Sequence, residues 1–253
     1  MAMIKTATEV AGIREACRIA QEVLEELGEA LRPGMSTEEL DTLAAERIKA
    51  RGARSAFLGY RKFPRHTCIS VNNEVVHGVA GARRLEFGDI VSVDVGVFHR
   101  GFVGDTAATF PVGGCDPAAQ RLLDVTRQAL MEGIRQARGK NLVADISKAV
   151  QSVVEDAGFS VVREFVGHGV GRSVHEEPQV PNFVEPGRRS PRLRPGMTIA
   201  IEPMVNAGGR EVRVLNDGWT VVTVDGTLSA HFEHTVLVTD GEAEVLTCRE
   251  TTP

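Results

Sequence analysis

No run of this 253-residue sequence is long and apolar enough to cross a bilayer, which argues against a membrane protein. The opening MAMIKTATEVAGIREAC holds acids early and lacks the apolar core of a secretory signal, so we expect a cytoplasmic protein. Cysteine is scarce. Cys17, Cys68, Cys115 and Cys248 are scattered without a CxxC pair, and we read them as reduced thiols. Positive charge is short as well. Lys and Arg number 29 against 34 Asp and Glu, and a net charge of −5 with a pI near 5.9 leaves no electrostatic footprint for nucleic acid. No linker or low-complexity run divides the chain, and the Pro, Gly and Arg patch Glu185 to Pro195 reads as a surface loop. What is present, 42% hydrophobic and 25% charged residues, is ordinary for a globular protein with a sizeable core. It fits one large domain or two fused halves.

The most informative stretch is GDIVSVDVGVFHRGFVGDTAATF, Gly88 to Phe110. Val91, Val93, Val95 and Val97 share one strand parity; Ser92, Asp94 and Gly96 share the other. The chain then turns and returns as a second strand holding Asp105. A turn at His99 and Arg100 would set Asp94 directly opposite Asp105. Opposed cross-strand residues have Cβ atoms roughly 4.5–5.5 Å apart, and like charges there repel. Such a pair calls for a cation or a shared proton. Two acids on a solvated strand face explain these residues equally well.

A second stretch changes the balance. LEFGDIVSVDVGV (Leu85 to Val97) and LRPGMTIAIEPMV (Leu193 to Val205) align without a gap, and Asp94 falls on Glu202. The chain reads as an internal repeat, about 8–112 and 116–248, within a single catalytic domain of residues 1–253. Asp105 then has its counterpart in Glu233, at the start of EHTVLV. Four carboxylates from two related hairpins would converge near a pseudo-twofold axis, which is hard to explain without more than one divalent cation. Helices complete each half. One is expected from about Thr8 to Leu31, with Val10, Ile13, Ala16, Cys17, Ala20, Val23 and Leu24 on one stripe. Ser36 caps a second, with Glu39 closing a capping box, to about Arg51. Asp116 and Pro117 open a third through roughly Arg138, and a fourth runs from about Ala144 to Ala157. The apolar strand parity should face these helices, and the acidic parity a shared cleft.

Among the histidines, His168 lies in GHGVG, where the glycines let the backbone turn tightly and expose the ring. His175 follows in HEEPQV, and His77 precedes the first acidic strand. A lone histidine is more often structural, but proximity to an acid cluster favours a ligand or a catalyst. His66 and His99 read as surface residues in turns. His231 shares parity with Glu233 and so looks toward the cleft, whereas His234 packs or caps.

Together VDVGVFHRGFVGDTAATF, GHGVGRSVHEEPQV, IAIEPMV and DGWTVVTVDGTLSAHFEHT resemble the type I methionine aminopeptidases over nearly the whole chain. The resemblance implies an α+β pita-bread fold, two pseudo-twofold-related halves of paired helices packed on curved antiparallel sheet. It implies that Asp94, Asp105, His168, Glu202 and Glu233 hold two divalent ions, with Asp105 and Glu233 bridging. His77 and His175 match the cleft histidines that contact substrate. Tyr60, Phe63, Cys68 and Trp219 would line a methionine pocket, with Phe57 and Val174 at its edge. Val174 stands where an aromatic residue is common, and Val76 where a cysteine often precedes the histidine. A monovalent cation would map near Asn72 and Ser229. The implied partners are nascent polypeptide N-termini and, transiently, the ribosome; the implied state is a cytoplasmic monomer.

The implied chemistry is attack of metal-activated water on the first peptide bond. Glu202 acts as general base, His175 donates to the oxyanion and His77 contacts the departing nitrogen. An oxygen-rich ligand set favours Mn²⁺, Fe²⁺ or Co²⁺. A crowded cleft predicts cleavage only before a small second residue, and Met1-Ala2 would make the chain its own substrate. Three rivals are weighed. A prolidase or Xaa-Pro aminopeptidase usually carries a further N-terminal domain, for which the stretch before His77 is too short. A catalytically inactive pita-bread domain that binds protein or RNA would have lost ligands. A structural metal site would leave His77 and His175 without a role.

Overall fold

The computed structural model describes residues 4–187 and 189–248; Met1 and Ala2, the self-processing site expected above, lie outside them. The first half runs α1 (Ala7–Ala30), α2 (Thr37–Ala50), β1 (Arg54–Ser55), a 3₁₀ turn at Tyr60–Lys62, β2 (Cys68–Val71), β3 (Glu74–Val76), β4 (Ile90–His99) and β5 (Phe102–Pro111). The second half opens with α3 (Pro117–Gln136), α4 (Val143–Asp156), β6 (Ser160–Val161), β7 (Gly167–Gly169) and β8 (Glu176–Val180). It continues through β9 (Thr198–Ile201), β10 (Met204–Asn206), β11 (Val212–Val214), β12 (Val221–Thr223), β13 (Ser229–His231), β14 (Glu233–Leu237) and β15 (Glu244–Val245).

The helices start where their caps put them. Thr6 with Glu9, and Ser36 with Glu39, form reciprocal capping boxes that satisfy free N–H groups at the first turn. Asp116 caps α3, whose first residue is Pro117. The stripe expected on α1 is buried throughout. Gly52 and Gly158 follow α2 and α4 with φ of 67° and 80°, conformations that any side chain would strain.

The large sheet has the order β1-β4-β5-β14-β9-β7-β8, with β2 also on β4 and β15 on β14. Its pairings are antiparallel, and the halves join where β5 meets β14. Two cores lie under it. α1 and α2 pack on Val91, Val93, Val95 and Val97 of β4, and α3 and α4 on Ile199, Ile201 and Val236. The apolar strand parity therefore faces the helices, as patterning predicts. No helix among the described residues is long and apolar enough to cross a membrane.

The first hairpin corrects the expected register. The turn is Arg100–Gly101, with φ of 46° and 89°, and His99 pairs with Phe102 inside the ladder. Positive φ at both turn residues matches the right-handed twist of the strands, and glycine adopts it without strain. Asp94 therefore stands opposite Ala107, and Asp105 opposite Gly96. The two acids remain on one face as diagonal neighbours, not as a direct pair. The same shift buries His99, expected at the surface, and His66 is half-buried in its bend.

Candidate metal centre

One row across four strands reads Cys68, Asp94, Ala107, Glu233. Asp105 lies one step along β5, and Glu202 follows β9 directly, where Pro203 interrupts the strand. Ala107 keeps the middle of the row shallow, so the carboxylates surround a hollow. Threonine hydroxyls hold the two central acids across the junction of the halves. Thr106 Oγ1 donates to the Glu233 carbonyl (3.0 Å), and Thr235 Oγ1 to the Asp105 carbonyl (2.8 Å).

All four carboxylates are buried. Burial pushes Asp94, Glu202 and Glu233 well above the ordinary carboxylate range, and their mutual repulsion adds to it. Burial alone takes Asp105 up to about 7. Oδ1 of Asp94, Oδ1 of Asp105 and Oε1 of Glu233 have no hydrogen-bond partner. Buried carboxylate oxygens are left unpaired rarely, because each forfeits its hydration. Protons or cations must compensate the cluster.

His168 supplies the nitrogen. Its Nδ1 lies 2.9 Å from the Gly169 carbonyl, which can only accept, so Nδ1 carries the hydrogen and Nε2 keeps its lone pair. That Nε2 is 3.3 Å from Glu202 Oε1 and 4.0 Å from Asp105 Oδ2. Burial, then the nearby His175, lower its pKa to about 3, so the ring is neutral at pH 7. Asp105, His168 and Glu233 can each bring one ligand atom within 4.8 Å of the others. Orphaned oxygens and a fixed lone pair suit divalent cations, and a donor set this rich in carboxylate oxygen is hard.

A cavity of about 260 Å³ opens from this cluster. All the candidate residues line it. The acids and His168 form its floor, and Phe57, Tyr60, Phe63, Cys68, Val174 and Trp219 a wall. Phe63 meets Trp219 edge-on at 5.1 Å. Gly96, opposite Asp105, makes room for Phe57: a Cβ there would lie 2.3 Å from the ring. Tyr60 stacks on His175 at 5.4 Å, and its hydroxyl lies 3.0 Å from His175 Nδ1. Burial and then Arg61 lower the His175 pKa; burial and then His175 lower that of His77 to about 4.

Sequence reasoning missed Phe165, whose ring meets His77 edge-on at 5.4 Å. Its only signal is an aromatic residue three positions before His168. His231 does look inward, with Nε2 unpartnered 3.7 Å from Glu202 Oε2, beyond hydrogen-bond reach. His234 packs away from the cleft against Thr247. Near the expected monovalent site, the Asn72 carbonyl accepts the Ser229 N–H at 2.9 Å.

Comparison with known proteins follows this geometry. Residues 11–240 match the family described as metallopeptidase family M24. The chain is 49% identical over 247 residues to methionine aminopeptidase 1 of Bacillus subtilis (strain 168), covering 98% of this chain and 99% of that one. It is 50% identical over 247 residues to a methionine aminopeptidase of Clostridium perfringens, again covering 98% and 99%. A crystal structure of methionine aminopeptidase from Thermotoga maritima superposes with a TM-score of 0.95 at 44% identity, covering 98% of this chain and all of that one. The α+β architecture described above is thus the pita-bread fold.

Proposed function

The chain belongs to metallopeptidase family M24, and we propose that it removes the N-terminal methionine from polypeptides whose second residue is small. The observation that carries this reading is one cavity in which a buried acid cluster adjoins an aromatic pocket. The pocket suits an unbranched thioether, whose sulfur–aromatic contacts are worth about 0.3–1.5 kcal/mol.

In this reading Asp94, Asp105, His168, Glu202 and Glu233 would hold two divalent cations. Mn²⁺, Fe²⁺ and Co²⁺ are the candidates. Such cations, when bound, supply Lewis acidity and make water easier to deprotonate near neutral pH. Glu202 then accepts the proton of the attacking water. His175, neutral at pH 7, donates to the oxygen of the scissile carbonyl as charge develops there. His77 contacts the nitrogen of the departing peptide. The free amino terminus of the substrate lies toward Asp94, which makes the reaction an exopeptidase one. We place the activity in the cytoplasm, on nascent chains at the ribosome, by a monomer acting as one catalytic unit.

The test is to purify the protein without added metal, measure bound metals, and compare Met-Ala-Ser with Xaa-Pro peptides. Turnover of Met-Ala-Ser is expected; turnover of Xaa-Pro peptides alone would end the reading. A panel of Met-Xaa-Ser peptides with Mn²⁺, Fe²⁺ and Co²⁺ tests the second residue. Gly, Ala, Ser, Thr, Cys, Pro and Val should be accepted, and Lys, Glu, Leu and Phe should show low kcat/KM with every metal. A rate that follows the charge of Xaa and not its size would refute steric selection.

A further inference from the structure

His175 stands on the segment joining β7 to β8, and little of the sheet ladder reaches it. Val170 is held at both ends: its N–H donates to the Thr198 carbonyl (3.1 Å), and its carbonyl accepts the Thr198 hydroxyl (2.5 Å). Beyond Val170, one carboxylate organises the turn. Glu176 Oε1 accepts the N–H of Arg172 (2.8 Å) and of Ser173 (3.2 Å). Its other oxygen, Oε2, accepts Lys5 Nζ at 2.6 Å. Lys5 precedes α1 and is bound through its own N–H to the Gly196 carbonyl at 2.8 Å. The side chains of this pair are 4% and 11% exposed. The lysine stem lies over Gly171, where a Cβ would come within 2.6 Å of Lys5 Cε.

We propose that Lys5 is a positioning residue for His175, clamping the turn through Glu176 so that the imidazole is held over the acid cluster. The argument starts from burial. An ammonium this enclosed is anchored where its carboxylate partner lies, since neither charge can turn to water instead. Burial acts to raise the Glu176 pKa, but Lys5 and the two backbone N–H groups hold it below the ordinary value, so the carboxylate stays charged. Glu176 is the next residue after His175, and Val174 on the other side lines the methionine pocket. Glu176, tied to the N–H groups of Arg172 and Ser173, therefore brackets Val174 and His175 from both ends. A second strut runs parallel to it. Glu9 on α1 meets Arg172 in the same turn at 3.2 Å, but that pair is exposed and adds little. The start of the chain is in this way part of the cleft, although no atom of Lys5 lines it.

The inference rests on the role given to His175, and the experiment separates the two. Lys5→Met, His175→Ala and the double variant are assayed on Met-Ala-Ser with matched metal content. Lys5→Met is expected to lower kcat about 10- to 100-fold, the scale of a small misplacement of a catalytic group. KM should stay within about twofold and bound metal should not change. In the His175→Ala background the same substitution should cost less than about twofold, because the group it positions is gone. Equal losses in both backgrounds, or loss of metal in step with kcat, would mean a merely structural lysine. If His175→Ala alone leaves kcat intact, it is the catalytic reading of His175 that fails. Should Lys5→Met not fold, Glu176→Gln is compared with Lys5→Met/Glu176→Gln. Lys5 acts through the Glu176 carboxylate, so Glu176→Gln alone should lower kcat about 10-fold or more, and adding Lys5→Met should change it by less than about twofold. A Glu176→Gln kcat near the wild-type value, or a further loss of more than about twofold on adding Lys5→Met, overturns the proposal.

Discussion

In the first half, β4 and β5 each run ten residues without a break and join through the two-residue turn Arg100–Gly101. In the second half the same path is covered by β9 and β10, then β13 and β14, interrupted at Glu202–Pro203 and at Phe232. Proline cannot donate to a ladder, so the strand leaves the large sheet there, and β10 pairs with β13 and β6 instead. The acids follow this difference. The unbroken strands carry aspartates. The broken ones carry glutamates, one methylene longer, at the break or just after it. A second asymmetry concerns nitrogen. Gly169 pairs with Ile199 as Val71 pairs with Val91, which makes Ser70 the counterpart of His168. The first half has no imidazole at that place. Where the first hairpin turns at once, the second makes an excursion from Ala207 to Leu228 that carries Trp219 into the pocket wall. The shared plan thus supplies the carboxylates, and the departures from it supply the imidazole and part of the pocket.

The strongest way to break this comparison is at the two central acids, one from each half. Asp105→Asn and Glu233→Gln should each lower kcat by more than about 10³-fold, since an amide cannot serve two cations as a carboxylate can. Circular dichroism should remain native, because the core lies on the other strand face. Near-normal turnover at saturating Mn²⁺ in either variant would refute the paired-cation reading. The same acids predict how the metal-stripped protein titrates. Their folded pKa values lie above the unfolded ones, with Asp105 at about 7. Their contribution is therefore fully present below pH 4 and is lost as the pH rises toward 7. Buried neutral histidines act with the opposite sign over the same window, so the test is a difference: with EDTA, the Tm of Asp105→Asn should gain on that of the wild type as the pH rises from about 4 to 7, and Mn²⁺ should favour the wild type at pH 7. A wild-type-to-variant difference that stays constant over the window would mean that protein groups compensate the acid instead.

A cleft histidine comes next in size. His175→Ala should lower kcat about 10²-fold with a small change in KM, as expected for a donor that matters most in the transition state. Both metals should stay bound; loss of metal in step with activity would make His175 a ligand. Ala107 sharpens the comparison from the shared side. Ala107→Val fills the hollow between Asp94 and Glu233 and should weaken metal binding about tenfold or more by calorimetry. An unchanged affinity would place the cations elsewhere. The smallest effect is expected at Gly96→Ala. The new Cβ displaces Phe57 and should raise KM for Met-Ala-Ser a fewfold, leaving metal affinity alone. A change in metal affinity without a change in KM would contradict this.

Local signals in the sequence were enough for the helices, because capping side chains act within three residues. Strand parity was enough to put the acids on one face. The register of the first hairpin was misread by one residue at the turn, since His99–Arg100 and Arg100–Gly101 both look like turn residues and only the positive φ decides between them. The error carried His99 to the surface and Asp105 one step out of place. The break at Glu202 was hidden by an alignment without gaps, although Pro203 announces it. Contacts between distant segments left no local trace. Phe165 meets His77, and Lys5 reaches a partner 171 residues away.

The seam between β5 and β14 also constrains motion. Each central acid has its carbonyl held by a hydroxyl of the opposite half, so any hinge opening along this line would pull the carboxylates apart. Opening one half against the other would therefore break these hydrogen bonds. The rim is built differently: Arg61, which lines the cavity, and Lys62 beside it hold φ of 46° and 73°, backbone conformations that cost about 1–3 kcal/mol each when a side chain is present. The floor of the site is thus tied across the two halves, while its lip carries a strained backbone.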